Sequence, residues 1–303
     1  MNTPFEKFQE KFCSVPAGDI FVRTAGSGEP IVFLHGNPQT GYMWNKVAPA
    51  FTSTHAVVCP DLRGYGRSYK PPVSENGMQM SKREMAADVV HMMKSLGHEK
   101  FLICAHDRGA RVAHRLALDF PEAVKGLVLL DIVPTIEHFE QADLEFAKGY
   151  YHWFWLAQPH PVPEQMISGN ERTWFGLHTQ VHHKDGVGQG GNIFSDAALS
   201  DYLECIANPL TFRSICEDYR AAISVDCDLD RASRASGDKI QCPTMVLWGS
   251  KSKVGKWYRP QEVWAGYCTG PVAAAAVDAG HYLAEENSKE VIKYVAEFFN
   301  KIN

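Results

Sequence analysis

Short apolar runs recur along the first half of the chain, each ended by a turn-forming residue. "PIVFLHG", "HAVVCPD", "KFLICA" and "VKGLVLLD" are apolar at most positions, the pattern of strands buried on both faces. Between them the period changes. In "SKREMAADVVHMMKSLGHEK" the residues Met85, Val89, Met92, Met93 and Leu96 follow helical spacing. Ser81 and Glu84 have the spacing of a capping box, and Gly97 stands where the helix should stop. "RGARVAHRLALDFP" predicts a helix straight after the "KFLICA" strand. "GDIFVRTAG" alternates and predicts an opening hairpin with "KFCSVPA". Apolar strands separated by amphipathic helices specify an α/β fold with a mostly parallel central sheet flanked by helices.

The alternation stops after "DIVPT". From Thr135 to Ser236 the chain is rich in aromatic, histidine and charged residues at helical spacing, with no clear strand. Strand and helix patterns return in "CPTMVLWGS", "PVAAAAVDAGHY" and "SKEVIKYVAEFFNKI". The expected division is an α/β core made of residues 1–134 and 237–303, with an inserted helical cap over 135–236. "DGVGQGGN" inside the cap reads as a loop. A phosphate cradle would need a strand before it.

Composition narrows the class. Of 303 residues, 45% are apolar, enough for a sizeable core. The formal charge of −5 offers no basic surface for nucleic acid or an acidic membrane. No apolar run reaches the roughly 20 residues that span a bilayer, and the start of the chain does not read as a secretory signal. Eight scattered cysteines form no C-x-x-C pair. They read as reduced core thiols of a cytoplasmic protein, and no spacing points to a metal.

The candidate chemistry sits in "CAHDRGARVAHR". Strand, small residue, x, nucleophile, x, small residue, helix is the order of a nucleophile elbow, with Ala105 and Gly109 as the small residues. Serine holds the central place in serine hydrolases; here it is Asp107. A carboxylate there can attack an sp3 carbon bearing a leaving group and form an ester that water then cleaves. That second step needs a base, and His281 in "DAGHYLAEEN" follows the last strand. The base needs an orienting carboxylate. The segment after "MVLWGS" reads "GSKSKVG" and has none, whereas Asp131 ends the "GLVLL" strand. The backbone N–H groups of Asn37 and Arg108 are placed to receive the oxyanion. As bland readings, Asp107 serves as a helix N-cap, "YYHWFWL" is an aromatic packing stripe, His35 structures its own turn, "DLRGYGRS" is a tight loop that gives Arg63 and Arg67 no catalytic role, and His182 and His183 are neighbours in sequence only.

"HGNPQTGYMW", "PDLRGYGRS", "HDRGARVAHR", "LDIVPT", "YYHWFW" and "AGHYLAEE" together resemble the fluoroacetate dehalogenases of the α/β-hydrolase superfamily, over nearly the whole chain. The resemblance implies the α/β-hydrolase fold and hydrolysis of a small 2-haloacid to the 2-hydroxy acid and halide, with no cofactor or metal, in a homodimer. It implies that Asp107 displaces halide, His281 with Asp131 activates water, Arg108 and Arg111 grip the substrate carboxylate, and His152, Trp153 and Tyr219 receive the halide. The chain departs from many relatives at Asn37, where an aromatic residue is usual. An epoxide hydrolase is the rival enzyme, and a non-catalytic carboxylate sensor the rival of another class.

Overall fold

The computed structural model describes residues 4–179 and 193–302. "DGVGQGGN", His182 and His183 lie outside the described residues. The strands are β1 (Gln9–Val15), β2 (Gly18–Ala25), β3 (Glu29–Leu34), β4 (His55–Pro60), β5 (Phe101–His106), β6 (Val124–Leu130), β7 (Thr244–Gly249) and β8 (Val272–Val277). They form one sheet in the order β1-β2-β4-β3-β5-β6-β7-β8. β1 and β2 make the expected antiparallel hairpin, and every pair from β4 to β8 is parallel. β5, central and apolar throughout, is buried at all six positions. β8, on the edge, is largely alanine and only partly buried.

Helices α1 (Lys82–Ser95) and α2 (Asp107–Asp119) follow the expected segments. The Ser81 hydroxyl accepts the Glu84 N–H at 3.4 Å, but the Glu84 carboxylate turns to Arg63 at 3.7 Å, so the capping box closes on one side only. Gly97 ends α1 at φ +87°, a conformation that favours glycine.

Between β6 and β7 run α3 (Thr135–Glu140), α4 (Leu144–Gly149), α5 (Tyr151–Leu156), α6 (Val162–Ile167), α7 (Glu171–Thr179), α8 (Asp196–Ile206), α9 (Pro209–Ala221) and α10 (Cys227–Ser236). After β7 come α11 (Lys253–Trp257) and α12 (Pro260–Ala265), and after β8 come α13 (Leu283–Glu286) and α14 (Ser288–Phe299). Buried charge ties the inserted helices to the sheet. Asp201 on α8 takes Arg23 at 3.1 Å and Arg67 at 2.7 Å, and Asp218 on α9 takes Lys82 at 2.5 Å. Arg63 is spent on Asp88 at 2.5 Å, which leaves the "DLRGYGRS" loop a structural one. All eight cysteines are free. Among the described residues no helix is long and apolar enough to cross a membrane.

Candidate active site

The turn from β5 into α2 is tight because neighbouring backbone leaves no room. A Cβ on Gly109 would lie 2.4 Å from the His35 carbonyl oxygen, and one on Gly36 would lie 2.7 Å from the Asp107 Cβ. Asp107 itself is held at φ +46°, a strain of roughly 1 kcal/mol or more for a residue with a side chain. The Asn37 N–H donates to Asp107 Oδ1 at 2.9 Å. Oδ2 has no hydrogen-bond partner among the described residues. Burial alone would raise the Asp107 pKa. The charges of His281, Arg108 and Arg111 outweigh it and hold the carboxyl below the usual range, so the group is ionised.

Asp131 directly follows β6, also at positive φ (+52°). Its Oδ2 lies 2.7 Å from His281 Nδ1, which leaves Nε2 as the free ring nitrogen. Its Oδ1 accepts the Gly249 N–H at 3.0 Å and the Ser252 hydroxyl at 2.6 Å. The "GSKSKVG" loop, which has no acid to offer, therefore supplies two donors that fix the acid from β6. Burial lowers the His281 pKa, but the hydrogen bond and charge of Asp131, with the charge of Asp107, raise it above the ordinary value.

Both arginines point one edge at nothing. Arg111 spends Nη1 on the Val133 carbonyl (3.0 Å) and Thr135 Oγ1 (3.1 Å). Arg108 spends Nη1 on Asp218 Oδ1 at 3.3 Å and stacks on the Tyr219 ring at 3.6 Å. Nε of Arg111, and Nε and Nη2 of Arg108, are buried without a partner among the described residues. Buried guanidinium donors are normally satisfied, and the Nε/Nη2 edge is the one that meets a carboxylate through two parallel bonds. The two guanidinium carbons lie 4.9 and 4.7 Å from the centre of the same Trp153 ring.

A cavity of about 280 Å³ brings together Asp107, Arg111, Asp131, His281, Asn37, His152, Trp153 and Tyr219. Arg108 is not on its wall; it lies behind the Tyr219 ring. Trp153 is buried by Phe139, Phe146 and Tyr150, so it is core and wall at once. His152 Nδ1 and Nε2 and the Trp153 indole N–H make no hydrogen bond among the described residues. Burial first, then neighbouring charge, keeps His152 neutral. Burial also pushes the Tyr219 phenol up to about 12, so it keeps its proton. The Asn37 amide donates to the Tyr219 oxygen at 3.3 Å, which leaves that proton for another acceptor.

Sequence reasoning missed several wall residues. Ser252 is the N-cap of α11. Tyr150, His178, Lys253 and Tyr282 also face the cavity. His178 lies flat on Trp174 at 4.8 Å, and burial lowers its pKa to about 4. Nothing in the spacing around these four marks them. His35 is turned inward, with Nδ1 on the Gly36 carbonyl and Nε2 accepting the Leu62 N–H at 2.9 Å. Among the described residues no cluster of three or more histidine, cysteine or acidic side chains is arranged to hold a metal ion.

Known proteins share this framework. The family profile of the alpha/beta hydrolase fold matches residues 29–288. Fluoroacetate dehalogenase of a Burkholderia species is 35% identical over 98% of this chain and 95% of its own length. The soluble epoxide hydrolase of a Corynebacterium species is 31% identical over 91% of this chain and 92% of its own. The crystal structure of an alpha/beta hydrolase from a Nostoc species superposes with a TM-score of 0.91 at 39% identity, over 97% of this chain and 99% of that one. The chain belongs to the α/β-hydrolase family, as a relative of fluoroacetate dehalogenase.

Proposed function

We propose that the protein is a hydrolytic dehalogenase of small 2-haloacids, with residues 135–236 serving as a cap over the core formed by 1–134 and 237–303. Asp107 Oδ2, the unheld oxygen, attacks the carbon that bears the halogen. The carbon–halogen bond breaks, and halide leaves toward the donors of His152, Trp153 and Tyr219. His281, oriented by Asp131, takes a proton from water, and that water attacks Asp107 Cγ. Charge then develops on Oδ1, where the Asn37 N–H already sits and to which the backbone N–H of Arg108 is the second proposed donor. Collapse releases the 2-hydroxy acid and restores the carboxylate.

The observation that carries this reading is the pair of arginines with unpartnered buried donors, Nε of Arg111 and Nε and Nη2 of Arg108, beside an ionised nucleophile. A neutral substrate gives them nothing to do. An anionic one needs them, because two carboxylates repel at the moment of attack, and a forked contact aims the α-carbon at Asp107. Arg111 meets the carboxylate from the cavity wall, and Arg108, stacked behind Tyr219, adds its charge to the same side of the site.

A second reading has one observation in its favour. Tyr150 and Tyr219 both line the cavity and burial keeps both protonated, as ring opening of an epoxide requires. Halide release from fluoroacetate and chloroacetate, measured beside diol formation from an epoxide, separates the two. In oxygen-18 water a single turnover should put label into Asp107 and leave the new hydroxyl unlabelled. Label passing directly into the product would remove the covalent route.

A further inference from the structure

The cavity is larger and more polar than a two-carbon acid requires. At about 280 Å³ it approaches the roughly 300 Å³ at which pockets for small organic ligands begin. A two-carbon haloacid leaves much of it to water. The wall is not apolar either. Asn37 and His178 stand on it, with Asn37 Nδ2 and His178 Nε2 3.5 Å apart.

The same chamber holds a second cation that the reaction above does not use. Lys253 lies on its wall, at the exposed mouth, in the "GSKSKVG" loop whose Ser252 fixes Asp131. The ammonium sits over the Tyr150 ring at 5.0 Å and donates to the Gly149 carbonyl at 2.5 Å. An ammonium has three donors, and among the described residues no carboxylate pairs with this one. Lys251, two residues earlier and also on the wall, is neutralised by Asp278 at 2.7 Å. Lys253 is the uncompensated member of the two. Its charge is felt inside: after burial and other neighbours, it helps hold His152 and His178 neutral.

An unpaired lysine at the mouth and an unpaired arginine fork at the base of one cavity describe a ligand with two anionic ends. We infer that the preferred substrate is a small 2-halo dicarboxylic acid, with the carboxylate next to the reacting carbon on Arg111 and the distal carboxylate on Lys253. This rests on the dehalogenase reading and specifies its substrate class. The chemistry is unchanged. The carbon–halogen bond breaks as the Asp107 ester forms, and water then gives the 2-hydroxy dicarboxylate, halide and a proton.

The test compares 2-chlorosuccinate with 2-chlorobutanoate, which has the same carbon count but an apolar end. In the native enzyme kcat/KM should favour the dicarboxylate by about five- to tenfold, the scale of a partly exposed charge pair. Lys253→Met should bring the ratio close to one, and Lys253→Arg should keep it. Raising the salt concentration should shrink the native ratio. A native ratio of one or less, or a ratio that survives Lys253→Met, overturns the proposal. Calorimetry with 2-hydroxysuccinate and 2-hydroxybutanoate needs no chemistry and separates the two claims. Tighter binding of the dicarboxylate with no halide released from any haloacid keeps the two-anion pocket and removes the dehalogenase reading. Halide release from chloroacetate with no preference in binding does the reverse.

Discussion

The ends of β5 and β6 and the helices between β6 and β7 both build the cavity, by opposite means. At the strand ends the backbone does the positioning. Asp107 and Asp131 sit at φ +46° and +52°, and each is held by main-chain N–H groups, from Asn37 and Gly249. In the helices the positioning is packing. Trp153 is fixed by aromatic neighbours, and Tyr219 by the stacked Arg108 and the Asn37 amide. Backbone geometry sets two or three atoms closely and tolerates few alternatives. Packed side chains can be exchanged for others of similar volume. On the proposed reading the strand ends hold the reacting groups, and the helices between β6 and β7 supply the halide donors and part of the wall.

The sharpest way to break that division is at the strand ends, where every substrate should suffer alike. Asp107→Asn should abolish halide release from all haloacids, by on the order of 10⁴-fold or more. His281→Ala should release about one halide per site and then stall as an alkylated protein, since only ester hydrolysis needs a general base. Rapid-quench halide measurement with intact-protein mass spectrometry reads both. Steady turnover by His281→Ala would take the histidine out of the mechanism.

The same division explains what the sequence reveals. The sheet was legible because its strands are continuous apolar runs. Asp107 was legible because an elbow forces small residues at fixed offsets, here Ala105 and Gly109. Asp131 follows β6 directly and His281 comes four positions after the end of β8, so finding the strand nearly finds the residue. His152 and Trp153 lie in "YYHWFW", where the residues alone read as packing, and the structure shows that Trp153 does pack. Only the resemblance marked them. His178 and Lys253 reach the cavity through the path of the chain over the sheet, which no local pattern encodes. Asp218 pairs with both Arg108 and Lys82, each more than a hundred positions away, and this partner of Arg108 was not foreseeable from the elbow.

Crossing one arginine with one tryptophan sharpens the comparison further. Arg111→Ala removes a contact that every haloacid makes. It should lower kcat/KM for fluoroacetate and chloroacetate alike, by about 2–5 kcal/mol in binding and aim. Trp153→Phe removes one donor from the departing halide, a loss of about 3–4 kcal/mol where that charge must be stabilised. Fluoride needs the donor and chloride leaves more readily, so fluoroacetate turnover should fall much more than chloroacetate turnover. Equal losses for the two halides in Trp153→Phe, with Arg111→Ala harmless, would return the site to the epoxide reading.

The smallest expected effect is a pH dependence, and it belongs to one half-reaction only. His281 has its pKa raised because Asp131 and Asp107 together outweigh burial. As a base it must be neutral, so ester hydrolysis should fall as the pH drops through that raised value, by at most about tenfold per pH unit. Once Asp107 is esterified its charge is gone. The imidazole then loses one of the carboxylates that raise its pKa, and the limb in the intermediate should lie below that of the resting enzyme. Alkylation needs an ionised Asp107, which the site secures well below the usual carboxylate range. Stopped-flow measurement of the two steps should therefore show an acid limb for hydrolysis and a flat profile for halide release over pH 5 to 8. Asp131→Asn, which removes the hydrogen-bonded carboxylate, should shift the limb to lower pH while reducing the plateau. The same limb in both steps would mean that His281 also governs the attack on carbon, and the assignment of His281 to hydrolysis alone would fail.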